Sequence, residues 1–464
     1  YKRQGVITGL PGTKKTMRVL IGAAEFGKDY SIVFTFPLRQ LRDEVVSRFE
    51  REPLKRYKDR VTVIRAHDEV CPSLSERVRS GMQYWQALGE HLRAVKEGRE
   101  ECYWKREALK AMEAIRQRKI IIGTHGIGIM IWLLTWAMRR SDVIFIWDEG
   151  DEIFVNISEP LYLGDLEVLK ELAPSKYKRI LRLSTKAVPN ADGPSTGLFL
   201  HERLVYQLIK RSFFITATWP KSISEWFESY EGHEIEEYRM RGQTSDDTIV
   251  ILNEQLNWNS RHAWMKVLAP QLLEIAKAAV EKFGTLAVIA RNYEQNEELE
   301  MLFRSSGYRV WTDRRQDNEC DYRDCDIVMI TVLGKGYRGI NFFSKRTGSD
   351  FPVIVGFYQA KGLDIVHPIF RFMFEDDPED EFSEMNNFIR DLVMAKNFQS
   401  LFRFNRFRNR RHLMVLLDKR WWSTINYYAN FYYKSSNIVH VSIDDVSKVV
   451  VPLIKSFNPV PEGE

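Results

Sequence analysis

Along the first third of the chain, short runs of branched apolar residues alternate with longer stretches whose apolar positions follow a helical period. The runs at residues 5–9, 31–35, 61–65, 119–123, 143–147 and 213–216 read as strands. The alternation predicts a parallel sheet with crossover helices, an arrangement whose ligands bind where strand carboxyl ends meet loops. The pattern restarts after about residue 240. Runs at 248–252, 286–289, 309–311, 327–331, 353–356 and 413–417 follow, separated by helical segments such as 270–283. The expected fold class is therefore α/β, with two parallel-sheet lobes in tandem over residues 1–240 and 241–464.

Two stretches interrupt the first lobe. Residues 73–118 are rich in Glu, Arg, Lys, Ala and Leu, with Trp85 and Trp104 as apolar anchors, and read as a helical insertion. A second insertion, residues 152–211, holds the Pro- and Gly-containing stretch 188–197, and its composition assigns it no role. The most apolar stretch, 120–138, carries His125 and several glycines and runs into a strand, so it reads as buried core rather than a membrane span.

Charge changes this picture little. A net charge of +5 permits an anionic partner without requiring one. Basic residues gather at 403–420 with Phe402, Phe404 and Phe407 interleaved, a pattern whose ordinary meaning is a solvated charged face. Cys71, Cys102, Cys320 and Cys325 are too few for a disulfide framework, which suggests a reducing, cytoplasmic home; no zinc pattern appears among them, and Cys320 and Cys325 read as isolated thiols. Cys320 and Cys325 have no second pair or nearby histidine with which to hold a metal.

The chemistry sits at strand ends. Gly9-Leu10-Pro11-Gly12-Thr13-Lys14-Lys15-Thr16 follows the first strand and matches the phosphate-loop pattern G-x-x-x-x-G-K-[ST], except that Lys14 replaces the second glycine. Backbone N–H groups from Gly12 to Thr16 would cradle the phosphates of ATP, Lys15 would neutralise their charge, and Thr16 would ligate Mg²⁺. A side chain at position 14 implies a changed loop, because glycine there permits positive φ. Asp148-Glu149-Gly150-Asp151 ends the fifth strand. Asp148 would hold Mg²⁺, and Glu149 would orient and deprotonate the attacking water.

In the second lobe, Gln399-Ser400-Leu401-Phe402-Arg403-Phe404-Asn405-Arg406 reproduces Q-x-x-G-R-x-x-R apart from Phe402. A helix through this segment would put Arg403 and Arg406 on one face, where two guanidiniums can meet one phosphate cluster as arginine fingers, with Gln399 beside them.

These motifs, in this order, resemble those of superfamily 2 helicases, and the XPD/DinG family in particular. Residues 334–342, Gly-Lys-Gly-Tyr-Arg-Gly-Ile-Asn-Phe, look like that family's G-K-x-x-E-G-I-D-F, and residues 395–406 followed by a strand and Asp418-Lys419-Arg420 look like its last motifs. Thr216-Ala217-Thr218 resembles the S/T-A-T tripeptide of helicases, and Thr124-His125 the stretch before the acidic motif. The resemblance covers both lobes. It implies tandem RecA-like lobes with ATP and Mg²⁺ between them, and single-stranded or forked DNA across both with 5′ to 3′ movement. It also implies that Thr216, Thr218, Gly339 and Asn341 couple nucleotide state to lobe movement, and that Thr35, Arg39 and His125 contact DNA. RNA stays open as the polymer, no membrane is implied, and protein partners are not specified.

Departures set further expectations. Many family members hold an iron–sulfur cluster on four cysteines between the DNA-contacting and acidic motifs, and only Cys71 and Cys102 lie there, so no such cluster is expected. The insertion at 73–118 then takes the same place without metal, and 152–211 forms a reduced arch. Gly9 stands eight residues after Tyr1, so the full protein is expected to begin earlier. The leading reading is an ATP-dependent DNA helicase or single-stranded DNA translocase. The alternative is a non-catalytic nucleic-acid-binding scaffold, motivated by Lys14 and Phe402. A single-lobed P-loop kinase or nucleotide switch would lack the second-lobe motifs.

Overall fold

Every apolar run marked as a strand becomes one, within two residues of its expected ends. The computed structural model describes residues 5–9, 15–151, 153, 161–186, 193, 196–200, 202–232, 235–240, 247–315, 318–332, 334, 342–348, 350–360, 384–404, 410–432 and 437–460. The chain folds as two compact units, one built on Lys14–Met240 and the other on Arg241–Gly362 with Ile389–Glu464.

The first unit contains β1 (Gly5–Gly9), α1 (Lys15–Phe26), β2 (Ser31–Phe36), α2 (Arg39–Arg48) and β3 (Val61–Val63). The helical insertion follows as α3 (His67–Val70), α4 (Pro72–Arg79), α5 (Tyr84–Lys96) and α6 (Trp104–Arg116), and the sheet resumes with β4 (Ile120–Thr124), α7 (His125–Ala137) and β5 (Val143–Asp148). Within 152–211, β6 (Leu161–Tyr162), β7 (Ser184–Lys186) and β8 (Gly197–Leu200) form a small antiparallel sheet that composition did not foretell. Then come β9 (Ser212–Thr216) and β10 (Glu237–Met240). The main sheet has the order β10-β1-β9-β5-β2-β4-β3, and β1, β9, β5, β2, β4 and β3 pair in parallel.

Burial on both faces explains why these strands read as unbroken apolar runs. Ile32, Phe34, Ile120 and Ile122 face one core with Leu20 of α1 and Val45 of α2. The stretch at 120–138 is interior, as expected: ten of the thirteen residues of α7 are buried. The helix lies so close to the sheet that a Cβ on Gly128 would stand 2.6 Å from Thr35 and 2.8 Å from Trp147.

The second unit contains β11 (Thr248–Leu252), β12 (Leu286–Ala290), β13 (Val310–Thr312), β14 (Ile327–Thr331), β15 (Val353–Phe357), β16 (Leu413–Leu417) and β17 (Asn437–Val441). They form a parallel sheet in the order β13-β14-β12-β15-β16-β11-β17. Its strands send alternate residues to two cores. Val250, Val288 and Val415 pack with Leu272 and Leu268, while Ile249, Ile289 and Leu416 pack with Phe398, Phe402 and Phe404. Phe402 and Phe404 are thus core residues, which corrects the solvated-face reading of the basic stretch for these two aromatics. Cys320 and Cys325 are joined in a disulfide, correcting the expectation of isolated thiols. The turn between them brings their α-carbons to 5.8 Å, within disulfide reach.

A buried charge cluster closes the lower end of this sheet. His412 Nδ1 lies 3.1 Å from Asp247 and its Nε2 3.7 Å from Asp350, with all three side chains inaccessible. Burial alone would lower the imidazole pKa, but the two carboxylates overcome it and raise it to about 9. A folded-state value above the unfolded ~6.5 stabilises the fold fully below pH ~6.5, and the contribution disappears as pH rises through 9. The shift corresponds to roughly 3 kcal/mol. Thermal unfolding of wild type and His412→Asn between pH 6 and 9.5 should therefore give a Tm difference that shrinks across that window. A difference independent of pH would contradict this assignment.

Candidate active site

Parallel register aligns the carboxyl ends of three neighbouring strands. Thr8 of β1 pairs with Thr216 of β9, and Asp148 of β5 pairs with Ile215. Lys15 and Thr16 form the first turn of α1 immediately after the loop that leaves β1. Gly12, Thr13 and Lys14 of that loop lie outside the described residues. A helix start carries partial positive charge and N–H groups directed outward, so Lys15 sits where an anionic group is favoured.

The decisive contact joins the two motifs expected to meet. Thr16 Oγ1 donates a hydrogen bond of 2.7 Å to Asp148 Oδ1 although 132 residues separate them. Hydroxyl and carboxylate oxygens form a donor set of the kind that Mg²⁺ prefers, so the residues present fit the ion. Glu149 follows in a left-handed backbone conformation, φ 51°. Among the described residues the other non-glycine residues at positive φ, Arg118 and Arg139, each stand one residue past the cap that ends α6 or α7, where such a conformation is routine. Glu149 has no helix to end. A sparsely populated conformation held at a strand-end carboxylate is the kind of strain that functional sites retain.

The rest of the acidic turn follows from packing. Gly150 N–H donates to Ile215 O at 2.9 Å, and a Cβ at Gly150 would stand 2.6 Å from that of Phe214, so only glycine fits against β9. Asp151 is fully buried and accepts 2.8 Å from Thr216 Oγ1, while Thr218 N–H donates to the same hydroxyl. The acidic turn and the Thr-Ala-Thr segment are therefore one hydrogen-bonded unit.

The expected nucleic-acid residues divide. Thr35 and His125 are buried and bonded to each other, Oγ1 to Nδ1 at 2.9 Å, so the structure places them in the core behind β2 and β4 rather than at a polymer surface. Arg39 is half exposed and paired with Asp68 at 2.6 Å. In the second unit the helix Glu384–Leu401 ends two residues before Arg403, so Arg403 stands on the turn after it and not on the helix expected to carry it. Phe402 packs on Phe398 at 4.9 Å and Phe404 on Phe342 at 4.9 Å, so the aromatics flanking Arg403 are held in the core. Gln399 is buried on the last helical turn, and Arg403, 4% exposed, lies in the following one. Arg406, Gly339 and Asn341 lie outside the described residues.

Sequence reasoning missed one group altogether. His67, Cys71, His91 and Cys102 converge inside the helical insertion. Counting cysteines alone hides it, and the only local signal is the four-residue step from His67 to Cys71.

No protein-family model matches this chain, and no curated protein matches it in sequence. Its two parallel sheets with surrounding helices are tandem RecA-like lobes. Among solved structures, S. tokodaii Xpd4 shares 12% identity at TM-score 0.55, with 95% of this chain and 96% of that one covered. An XPD helicase shares 11% at TM-score 0.56, covering 95% and 96%, and an apo XPD structure shares 11% at TM-score 0.51, covering 94% and 96%. The likeness is one of fold, extending over nearly the whole of each chain. No helix of the described residues is long and apolar enough to cross a membrane.

Proposed function

We propose that this protein is an ATP-dependent helicase or translocase of single-stranded DNA, moving 5′ to 3′. The observation that carries the ATPase reading is the Thr16–Asp148 hydrogen bond beside the left-handed turn at Glu149. The polymer and the polarity rest on the motif resemblance to the XPD/DinG family.

In this reading the N–H groups of residues 12–16 hold the phosphates, and Lys15 offsets the charge of the terminal ones. Thr16 and Asp148 hold Mg²⁺, which supplies charge neutralisation of the phosphates when bound. Glu149 accepts a proton from the water that attacks the terminal phosphorus. The bond from that phosphorus to the bridging oxygen breaks, giving ADP and phosphate. Arg403 and Arg406 stabilise the charge of the transition state, with Gln399 as a positioning residue. Thr216 Oγ1 donates to Asp151 and accepts from Thr218 N–H, a link that supports a coupling role for this segment. Gly339 and Asn341 are proposed for the same role on resemblance, and Arg39 for contact with the DNA backbone.

Hydrolysis measured with and without single-stranded DNA tests the reading. Stimulation of about 5- to 150-fold is expected, the range of ordinary linkage between sites. Equal stimulation by single-stranded RNA would remove the DNA preference. Absence of hydrolysis with either polymer, with binding retained, would favour the non-catalytic scaffold.

A further inference from the structure

The helical insertion gathers four side chains of metal-ligating type that the nucleotide chemistry does not use. His67 opens α3, Cys71 follows that helix, His91 lies on α5, and Cys102 precedes α6. One donor atom from each lies within 4.8 Å of all the others, and His67, Cys71 and His91 are buried.

The orientation of the histidines is informative. His67 Nδ1 is 2.8 Å from Asp165 Oδ1, leaving Nε2 3.2 Å from Cys102 Sγ. His91 Nδ1 is 2.7 Å from Glu100 Oε2 and 3.1 Å from Ser73 Oγ, while its Nε2 is buried and has no hydrogen-bond partner. A carboxylate on Nδ1 fixes the tautomer that presents the Nε2 lone pair, and it is the usual outer partner of a metal-bound imidazole. An orphaned ring nitrogen inside a core is costly unless something occupies its lone pair.

The spacing of the sulfurs selects among possible occupants. Cys71 Sγ and Cys102 Sγ are 3.8 Å apart, well beyond a disulfide bond. Two thiolates bound at ~2.3 Å to one tetrahedral ion would stand ~3.8 Å apart. Iron–sulfur clusters distribute their protein ligands over separate irons, which spreads the ligand atoms more widely than this compact group. Two thiolates and two neutral imidazoles also cancel the charge of a divalent ion, as a buried site requires. Tyr103 N–H donates to Cys71 Sγ at 3.2 Å, a further stabilisation of thiolate.

We propose that His67 Nε2, Cys71 Sγ, His91 Nε2 and Cys102 Sγ bind a single zinc ion in a closed tetrahedral site that braces the helical insertion. Tetrahedral sulfur–nitrogen coordination with four protein ligands is the signature of structural zinc. Binding to the thiol forms releases two protons to solvent. The brace extends beyond its ligands, because Asp68 and Glu69, next to His67, accept Arg39 and Arg42 of α2 at 2.6 and 2.7 Å. Asp165 likewise ties the segment after β6 to the site. This assignment reverses the expectation of an insertion without metal.

Elemental analysis of the full chain, purified under reducing conditions, should find about one zinc per chain. After chelation, Co²⁺ titration should produce the visible bands of a tetrahedral thiolate site, saturating at one equivalent and bleached by Zn²⁺. Glu100→Gln should weaken zinc binding about 10- to 100-fold, the usual effect of losing an outer partner. His91→Ala should abolish the cobalt bands and lower Tm by roughly 10 °C or more. If His91→Ala does not fold, the cobalt spectrum of wild type and the Glu100→Gln affinity still decide. Stoichiometric iron with acid-labile sulfide would overturn the proposal, as would a folded protein that takes up neither zinc nor cobalt. Zinc content unchanged in folded Cys71→Ser/Cys102→Ser would also overturn it.

Discussion

Glu149→Gln is expected to bind Mg·ATP close to wild type while hydrolysis falls by at least ~10²-fold, the smaller end of what a general base contributes. Lys15→Ala is expected to lose hydrolysis and much of its nucleotide affinity together. The difference follows from where each side chain acts. Lys15 begins α1, and in the proposed site it would lie beside the phosphates of the ground state, where its charge contributes before any bond changes. In the proposed mechanism Glu149 would act on the attacking water, a partner present only in the reaction, and the amide of Gln would preserve size and remove basicity. The strained turn should survive this substitution, since the backbone at 149–150 is anchored by Gly150 N–H on Ile215 O. Nucleotide affinity by calorimetry, paired with single-turnover hydrolysis, separates the two. Comparable affinities in both variants would contradict the assigned roles.

Arg403→Ala is expected to reduce turnover by about 10³-fold, in the range found for arginine fingers, while single-stranded DNA affinity changes only a few-fold. Arg403 is 4% exposed, on a turn whose form is set by its apolar neighbours Phe402 and Phe404. The turn should therefore persist without the guanidinium, and a circular dichroism melt checks that it does. Arg403→Lys keeps a charge but not the planar fork, so it should recover little. If the residue were an ordinary phosphate contact, its loss would weaken DNA binding and reduce the salt dependence by about one charge. Hydrolysis would then return at saturating DNA. Titrating DNA against the variant distinguishes the cases: complete recovery refutes a finger, and persistent loss supports one.

What the sequence by itself determined was everything carried by local pattern. Two-face burial writes unbroken apolar runs, so the strands of both sheets other than β10 and β17 were legible, and so was the interior character of the stretch at 120–138. The phosphate-loop and acidic patterns could be proposed from sequence because such chemistry demands fixed residue types at fixed short spacing. Strands whose burial is partial left no such trace: β10 is largely exposed, β17 is only partly buried, and the three strands within 152–211 are two to four residues long.

Tertiary structure decided whatever depends on residues distant in sequence. Only the parallel register could put Thr16 against Asp148 and Thr216 against Asp151. Burial of Thr35 and His125 came from α7 packing on β2, and burial of Phe402 and Phe404 came from their packing on the second sheet's core. The gathering of His67, Cys71, His91 and Cys102 is the clearest case. Their separations of 4, 20 and 11 residues match no familiar ligand spacing, because α3, α5 and the start of α6 each supply donors and are brought together only by packing around one another. A motif is readable along the chain when one loop holds it, and these ligands belong to three elements whose meeting is a property of the fold.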